Sequence, residues 1–126
     1  MRIPALLAAL ALGALTPSLA LAHVELTAST PASGSEARAP KTVTLTFSEP
    51  VDQASAAAAI VMTAMPGVAN HGEMPIRNFT AEWSEDGRTM TLKLLRALPA
   101  GTYEVRWQAA AVDGHAMSGI VTFDVR

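Results

Sequence analysis

The chain has 126 residues, with 9 basic and 11 acidic side chains, a formal net charge of −2 and no cysteine. This length favours one small domain, and the slightly acidic balance excludes the basic surface that is typical of nucleic-acid binders. Disulfides and thiolate metal sites are excluded as well, so stability must come from a packed core and any soft metal ligand must be methionine.

Residues 1–22 have the pattern of a secretory signal peptide. Arg2 precedes the apolar run IPALLAALALGAL, and a small-x-small cleavage site ends at Ala22. The run is interrupted short of the about 20 residues that a membrane-spanning helix needs, and no later segment is apolar enough to span a bilayer. Cleavage after Ala22 therefore predicts an exported domain of residues 23–126, periplasmic in a Gram-negative bacterium and without a membrane span.

Most of the following chain shows the period-two alternation of half-buried β-strands. About seven short strands are predicted, at residues 24–28, 43–47, 56–62, 79–83, 90–94, 103–107 and 121–125. The third of these is an apolar run that fits a strand or a helix equally well. Seven strands in a chain of this size predict a single all-β Greek-key sandwich.

Turn signals separate these segments. PASGSEARAP (residues 31–40) and MPGVANHGEMP (residues 65–75) are rich in proline and glycine and are predicted as irregular connections. Asp86-Gly87 predicts a hairpin. The spacing of Leu98, Gly101 and Tyr103 resembles a tyrosine corner, although its acceptor is not evident from the sequence.

His23 becomes the first residue if the signal peptide is removed, and its backbone nitrogen becomes a free amine. The amine and the ring Nδ1 atom can then close a six-membered chelate ring on one metal ion. An α-amine pKa of about 7.7–8.0 allows a metal to displace the proton near neutral pH. Taken alone, His23 is better explained as the residue that happens to follow a cleavage point.

A second histidine lies in the segment AAAVDGHAMSG, which contains Asp113-Gly114-His115. The Asp and His side chains project from alternate positions, and the glycine between them allows the backbone to turn so that both converge. Alone, this is more simply an Asp-Gly turn followed by a surface histidine. Together with His23 it offers three nitrogens and one oxygen, which suit tetragonal Cu(II), the most strongly bound of the divalent first-row metals.

Four segments carry a family resemblance: AHVELTASTPASGS, LTFSEPV, LPAGTYEVRW and VDGHAMSGIVTFDV. Together they span nearly all of residues 23–126 and resemble the CopC-type periplasmic copper-binding proteins. The resemblance implies an immunoglobulin-like or cupredoxin-like β-sandwich or barrel, with His23, Asp113 and His115 as Cu(II) ligands. It also implies that Glu49 lies near the same copper, as a weak axial ligand or an outer-shell partner, a role in which carboxylates commonly orient an imidazole.

Some CopC proteins also carry a methionine-rich Cu(I) site in a loop. The corresponding region here offers Met62, Met65, His71 and Met74, a sparser set than in the methionine-dense members of the family. Thioethers are soft ligands that suit Cu(I). Met62 is also explained as a core residue, because methionine commonly fills gaps in cores.

The resemblance implies a copper carrier or buffer in copper homeostasis or resistance, rather than an enzyme. Its expected partners are the copper ion and a CopD-like inner-membrane transporter or another periplasmic copper protein. One alternative is a copper-dependent oxidative enzyme, because an N-terminal histidine paired with a second histidine is also the copper site of lytic polysaccharide monooxygenases. Against it, Asp113 would fill an equatorial position that oxygen activation needs open. The other alternative is a metal-free exported immunoglobulin-like module.

Overall fold

The computed structural model describes residues 23–112 and 114–126. The predicted signal peptide, residues 1–22, and Asp113 lie outside the described residues. Within the described ranges the chain forms nine strands: β1 (Leu26–Thr30), β2 (Glu36–Ala37), β3 (Thr42–Phe47), β4 (Ala57–Ala64), β5 (Met74–Ile76), β6 (Phe79–Trp83), β7 (Thr89–Leu94), β8 (Gly101–Ala110) and β9 (Ala116–Val125). None of the described segments is a helix that is long and apolar enough to cross a bilayer.

The strands form two sheets, in the orders β1-β3-β7-β6 and β2-β9-β8-β4-β5. The short strand β2 pairs with β9 in parallel, and the other strand pairs described are antiparallel. This arrangement confirms the predicted all-β sandwich. The ambiguous apolar run is a strand, β4, which lies between β8 and the edge strand β5.

The core lies between the inward faces of the two sheets, where the period-two pattern places the apolar residues. Leu45 of β3 and Val105 of β8 are fully buried. The Phe47 and Trp107 rings pack in a T-shaped arrangement at a centroid distance of 5.2 Å, which joins the two sheets through an aromatic pair. The alternation of apolar and polar residues therefore decides which side of each strand faces the other sheet.

Tyr103 forms the predicted tyrosine corner. Its side chain is fully buried, and its hydroxyl donates a hydrogen bond of 2.6 Å to the carbonyl oxygen of Pro99, four residues earlier. Burial raises the pKa of the Tyr103 hydroxyl to about 12. The turn before β8 is thus fixed by a buried residue of that strand.

Two strands were not predicted from the sequence, and both are edge strands of the five-stranded sheet. β2 has two residues and lies in the segment predicted as irregular, where it pairs with Asp124 and Val125 at the end of β9. β5 contains Pro75, which is tolerated because an edge strand does not need every backbone N–H for pairing. Neither strand has an apolar–polar alternation of its own that would reveal it in the sequence. Each is defined by its pairing with the neighbouring strand.

The candidate ligands that the structure describes lie at two ends of the sandwich. At one end the β8–β9 connection (residues 111–115) meets the start of β1 and the β3–β4 connection, since Leu26 pairs with Phe47 and Val51 bridges to Ala111. We call this the histidine end. At the opposite end, which we call the methionine end, the β4–β5 connection (residues 65–73) lies beside the start of β8.

Candidate metal centre

His23 stands at the histidine end on an anchored segment. The next residue, Val24, is 1% exposed and belongs to the core. Glu25 is then bonded to Ser48 of the β3–β4 connection through two hydrogen bonds. The backbone directly after His23 is therefore fixed, while the His23 side chain itself is exposed.

His115 lies on the opposite sheet, directly before β9. The β8–β9 connection is a tight turn, in which the Gly114 amide donates a hydrogen bond of 3.1 Å to the Ala111 carbonyl. Ala111 is buried and bridges to Val51, which ties this turn to the β3–β4 connection. The His115 side chain is exposed.

The structure brings these two histidines together. Their ring centroids are 6.0 Å apart and the ring planes are inclined by 26°. An imidazole nitrogen bonds a metal ion at about 2 Å, so modest side-chain rotations allow both exposed rings to reach one ion. This is the convergence that the sequence hypothesis of a shared site required.

The remaining predicted members of this site are Glu49 and Asp113. Glu49 is half-buried in the β3–β4 connection, at the same end as the two histidines. Asp113 lies outside the described residues. Within residues 23–112 and 114–126, no three or more His, Asp or Glu side chains form a cluster suited to a metal ion. The described part of the candidate centre is therefore the histidine pair, with Glu49 at the same end of the sandwich.

The four residues of the predicted Cu(I) set all belong to β4, β5 or the connection between them. Met62 and Met74 are partners in the β4–β5 register. Met62 is 1% exposed within the core, whereas Met74 is 44% exposed at the edge. Met65 is partly buried and packs against the core. The set therefore includes one core residue, Met62, and more accessible groups at the methionine end.

His71 has a defined ring orientation. Its Nδ1 atom is 2.7 Å from the carbonyl oxygen of Gly72. Because a carbonyl oxygen can only accept, Nδ1 carries the proton in this contact and Nε2 is the other ring nitrogen, left to bind a metal when the ring is neutral. Sequence reasoning named His71 but gave no sign of this orientation.

An ion-pair network beside this connection was missed by the sequence analysis. Arg106 of β8 donates hydrogen bonds of 3.3 and 2.7 Å to the two carboxylate oxygens of Glu73, and its Nε atom donates one of 2.9 Å to Glu104. The hydrogen bonds and charge of Arg106 lower the pKa of Glu73. The network ties the residue before β5 to β8. No local pattern signals it, because Glu73 and Arg106 are 33 residues apart.

The two histidines of the candidate centre are exposed on the surface. A shallow groove of about 600 Å³ lies on the outer face of the five-stranded sheet, lined by residues that include Ala57, Gln108 and Ile120. The two histidines do not line it. The rings of His23 and His115 are thus open to solvent and separate from this groove.

A family profile, a related sequence and a crystal structure each match most of this chain. The CopC domain profile matches residues 26–126. Copper resistance protein C of Pseudomonas syringae pv. tomato is 42% identical over 116 residues, which cover 92% of this chain and 90% of that protein. The crystal structure of PcoC, a methionine-rich copper resistance protein from Escherichia coli, superposes with a TM-score of 0.75 at 35% identity, covering 83% of this chain and all of PcoC.

A third relative has a different organisation. Copper transport protein CutJ of Bacillus subtilis is 28% identical over 110 residues, which cover 86% of this chain and only 19% of that protein. In CutJ the matching region is thus one part of a much longer chain. The profile match over residues 26–126, together with the identity and coverage of the Pseudomonas relative, shows that the chain belongs to the CopC family.

Proposed function

We propose that this protein is a copper carrier or buffer that holds Cu(II) at its histidine end. The ligands are the α-amine and ring of His23, the ring of His115 and the carboxylate of Asp113, with Glu49 as an axial ligand or an outer-shell partner. The single observation that carries the proposal is the convergence of the His23 and His115 rings, 6.0 Å apart, from opposite sheets. It also requires signal cleavage after Ala22, because only then does His23 possess the α-amine.

The chemistry of this donor set favours copper. Three nitrogens and one oxygen suit the tetragonal geometry of Cu(II), which also exceeds its divalent first-row neighbours in affinity. The burial of Val24 beside His23 supports a preorganised chelate, because the backbone of the next residue is already fixed before the metal arrives. Copper is the cargo in this proposal and not a catalytic cofactor.

Holding and transferring copper is favoured over oxidative catalysis. An equatorial Asp113 would fill the position that oxygen activation needs open. The groove on the five-stranded sheet does not include either histidine, so a substrate in it would not reach the copper. The exposed rings at the histidine end instead suit transfer of the ion to a protein partner.

The proposed setting is the periplasm, with a membrane transporter or another copper protein as the partner. The names of the relatives support a role in copper resistance or transport. In CutJ, a copper transport protein, the matching region makes up 19% of the chain, which supports a working association between this domain and a transporter. The transporter that we propose as the partner is a CopD-like inner-membrane protein.

We propose a second, Cu(I) site at the methionine end, built from Met62, Met65, His71 and Met74. Support comes from the pairing of Met62 with Met74 across β4 and β5 and from the orientation of His71, whose Nε2 is the ring nitrogen turned away from the Gly72 contact. Soft thioethers with one imidazole suit Cu(I). The two sites would lie at opposite ends of the sandwich and hold copper in different oxidation states.

The decisive experiment is a competitive Cu(II) titration with an EPR spectrum. One sample is protein that mass spectrometry shows to begin at His23, and the other carries one extra residue before it. We expect tight one-to-one binding with a nitrogen-rich tetragonal spectrum in the first sample and its loss in the second, because the extension converts the amine into an amide. Equal, weak binding by both would leave a metal-free exported β-sandwich.

A further inference from the structure

Ser48 makes an unusual set of contacts at the histidine end. Its backbone amide donates a hydrogen bond of 2.8 Å to the Glu25 carbonyl, which continues the ladder between β1 and β3 by one residue. In the return direction the Glu25 amide donates not to the Ser48 carbonyl but to the Ser48 hydroxyl, at 3.0 Å. The Ser48 hydroxyl thus takes the place of a backbone carbonyl as the acceptor in the Glu25–Ser48 pair, which lies nearest to His23.

The Ser48 carbonyl is used by a different partner. Arg88, directly before β7, donates a hydrogen bond of 3.0 Å from its guanidinium group to this oxygen. Arg88 also accepts a hydrogen bond from the Phe47 amide through its own carbonyl. Ser48 is therefore bonded on one side to Arg88, directly before the inner strand β7, and on the other side to Glu25.

We propose that Ser48 is a positioning residue that keeps His23 against His115. His23 is terminal after cleavage, so the chain holds it from one side only, through the residues next to it. Two of these are anchored: Val24 by its buried side chain and Glu25 by its paired backbone. The buried Val24 side chain fixes where the segment enters the core. The hydrogen bond from the Glu25 amide to the Ser48 hydroxyl fixes the direction of the backbone that leads to His23.

The expected consequence rests on the proposed Cu(II) function. A chelate whose amine and ring belong to one mobile terminal residue binds more weakly, because the metal must also restrict that residue on binding. Changes to groups that orient metal ligands typically weaken metal binding by about 10–100-fold. We therefore expect Ser48→Ala to weaken Cu(II) binding by a factor in this range, although Ser48 is not one of the proposed ligands.

The test compares three variants in protein that begins at His23. Ser48→Ala removes the hydroxyl, and Ser48→Thr retains it. Ser35→Ala is the matched control, because Ser35 is also half-buried and also bonds a backbone group, at the methionine end, through its hydroxyl. For each variant we would measure Cu(II) affinity by competition, the EPR spectrum, the thermal midpoint, hydrogen exchange of the Glu25 amide, and nuclear Overhauser effects between the His23 and His115 rings.

The proposal expects faster exchange at Glu25, weaker ring-to-ring effects and about 10–100-fold weaker Cu(II) binding in Ser48→Ala, with Ser48→Thr and Ser35→Ala near wild type. A fall in the thermal midpoint of Ser48→Ala that leaves the ring-to-ring effects unchanged would mean a structural role only and overturn it. So would unchanged Glu25 exchange. If wild-type protein itself fails to bind Cu(II), the proposed function fails, and the metal-free exchange and ring-to-ring measurements still decide the role of Ser48.

Discussion

The His23 and His115 rings lie 6.0 Å apart at the histidine end, although His23 precedes a strand of one sheet and His115 precedes a strand of the other. The β3–β4 connection, which leads from one sheet to the other, is tied to the residue after β8 by the Val51–Ala111 bridge. The proposed ligand site between the sheets therefore requires an intact sandwich, and copper binding should be linked to folding.

Replacement of His115 by alanine should remove most of the Cu(II) affinity. His115 supplies one of the three proposed nitrogens, so the loss should exceed the about 10–100-fold that results from losing an outer-shell partner. His71→Ala is the matched control, because His71 is the histidine at the methionine end. Competitive titration of both variants with Cu(II) checks this, and equal affinities would contradict the proposed site.

The predicted Cu(I) site can be tested through two methionines that differ in burial. Met74→Leu removes a 44% exposed thioether, and we expect weaker Cu(I) binding with little change in the free energy of unfolding. Met62→Leu replaces a core residue by one of similar volume, at a cost below about 1.5 kcal/mol. Cu(I) titration under reducing conditions, beside urea unfolding, separates the two effects. Wild-type Cu(I) affinity in both variants and in His71→Ala would exclude the site.

The contact between Glu73 and Arg106 should weaken in acid. Arg106 holds the pKa of Glu73 below its usual value, so the contact stabilises the fold above the pKa that Glu73 has in the unfolded chain. This contribution is lost as the pH falls through the lower, folded-state pKa. We expect the protection of the β5 amides, relative to the intrinsic exchange rate at each pH, to fall over that range in wild type and to be already low at neutral pH in Glu73→Gln. Glu82→Gln, which breaks the exposed pair with Lys93, is the control.

Alkaline pH should destabilise the protein through Tyr103. Burial raises the pKa of its hydroxyl to about 12, whereas an unfolded tyrosine ionises near pH 10. The stability conferred by the protonated hydroxyl is complete below about pH 10 and is lost as the pH rises towards about 12. Because the chain has one tyrosine, tyrosinate absorbance reports this residue alone. An ionisation midpoint near pH 10 in folded protein would contradict the buried corner.

Gly119 should tolerate no side chain. A Cβ atom there would lie 2.7 Å from the Trp107 ring, which packs across β9 at this position. Gly119→Ala must therefore displace the indole, and overpacking of this kind costs about 1–3 kcal/mol. Guanidinium unfolding followed by tryptophan fluorescence would measure this cost. Ser118→Ala, at an exposed position of the same strand, should change stability little.

The sequence determined the local structure of this protein well. Alternation in segments such as residues 43–47 and 121–125 predicts which face of each strand is buried, because successive side chains point to opposite sides. Asp86-Gly87 predicts the hairpin between β6 and β7, where Gly87 has a φ of 72°. The tyrosine corner is predicted by a spacing of a few residues. Each of these signals operates within one element or one turn.

Tertiary structure decided the contacts between segments distant in sequence. The residue types and their positions in the sequence indicated His23 and His115 as candidate ligands. Their approach depends on how the two sheets pack and on the Val51–Ala111 bridge, which ties the β3–β4 connection to the end of β8. The Ser48 contact with Glu25 and the edge strands β2 and β5 likewise come from strand register. No local pattern encodes these partners, because strand pairing and sheet packing are set by burial of the whole core and not by the residues of one segment.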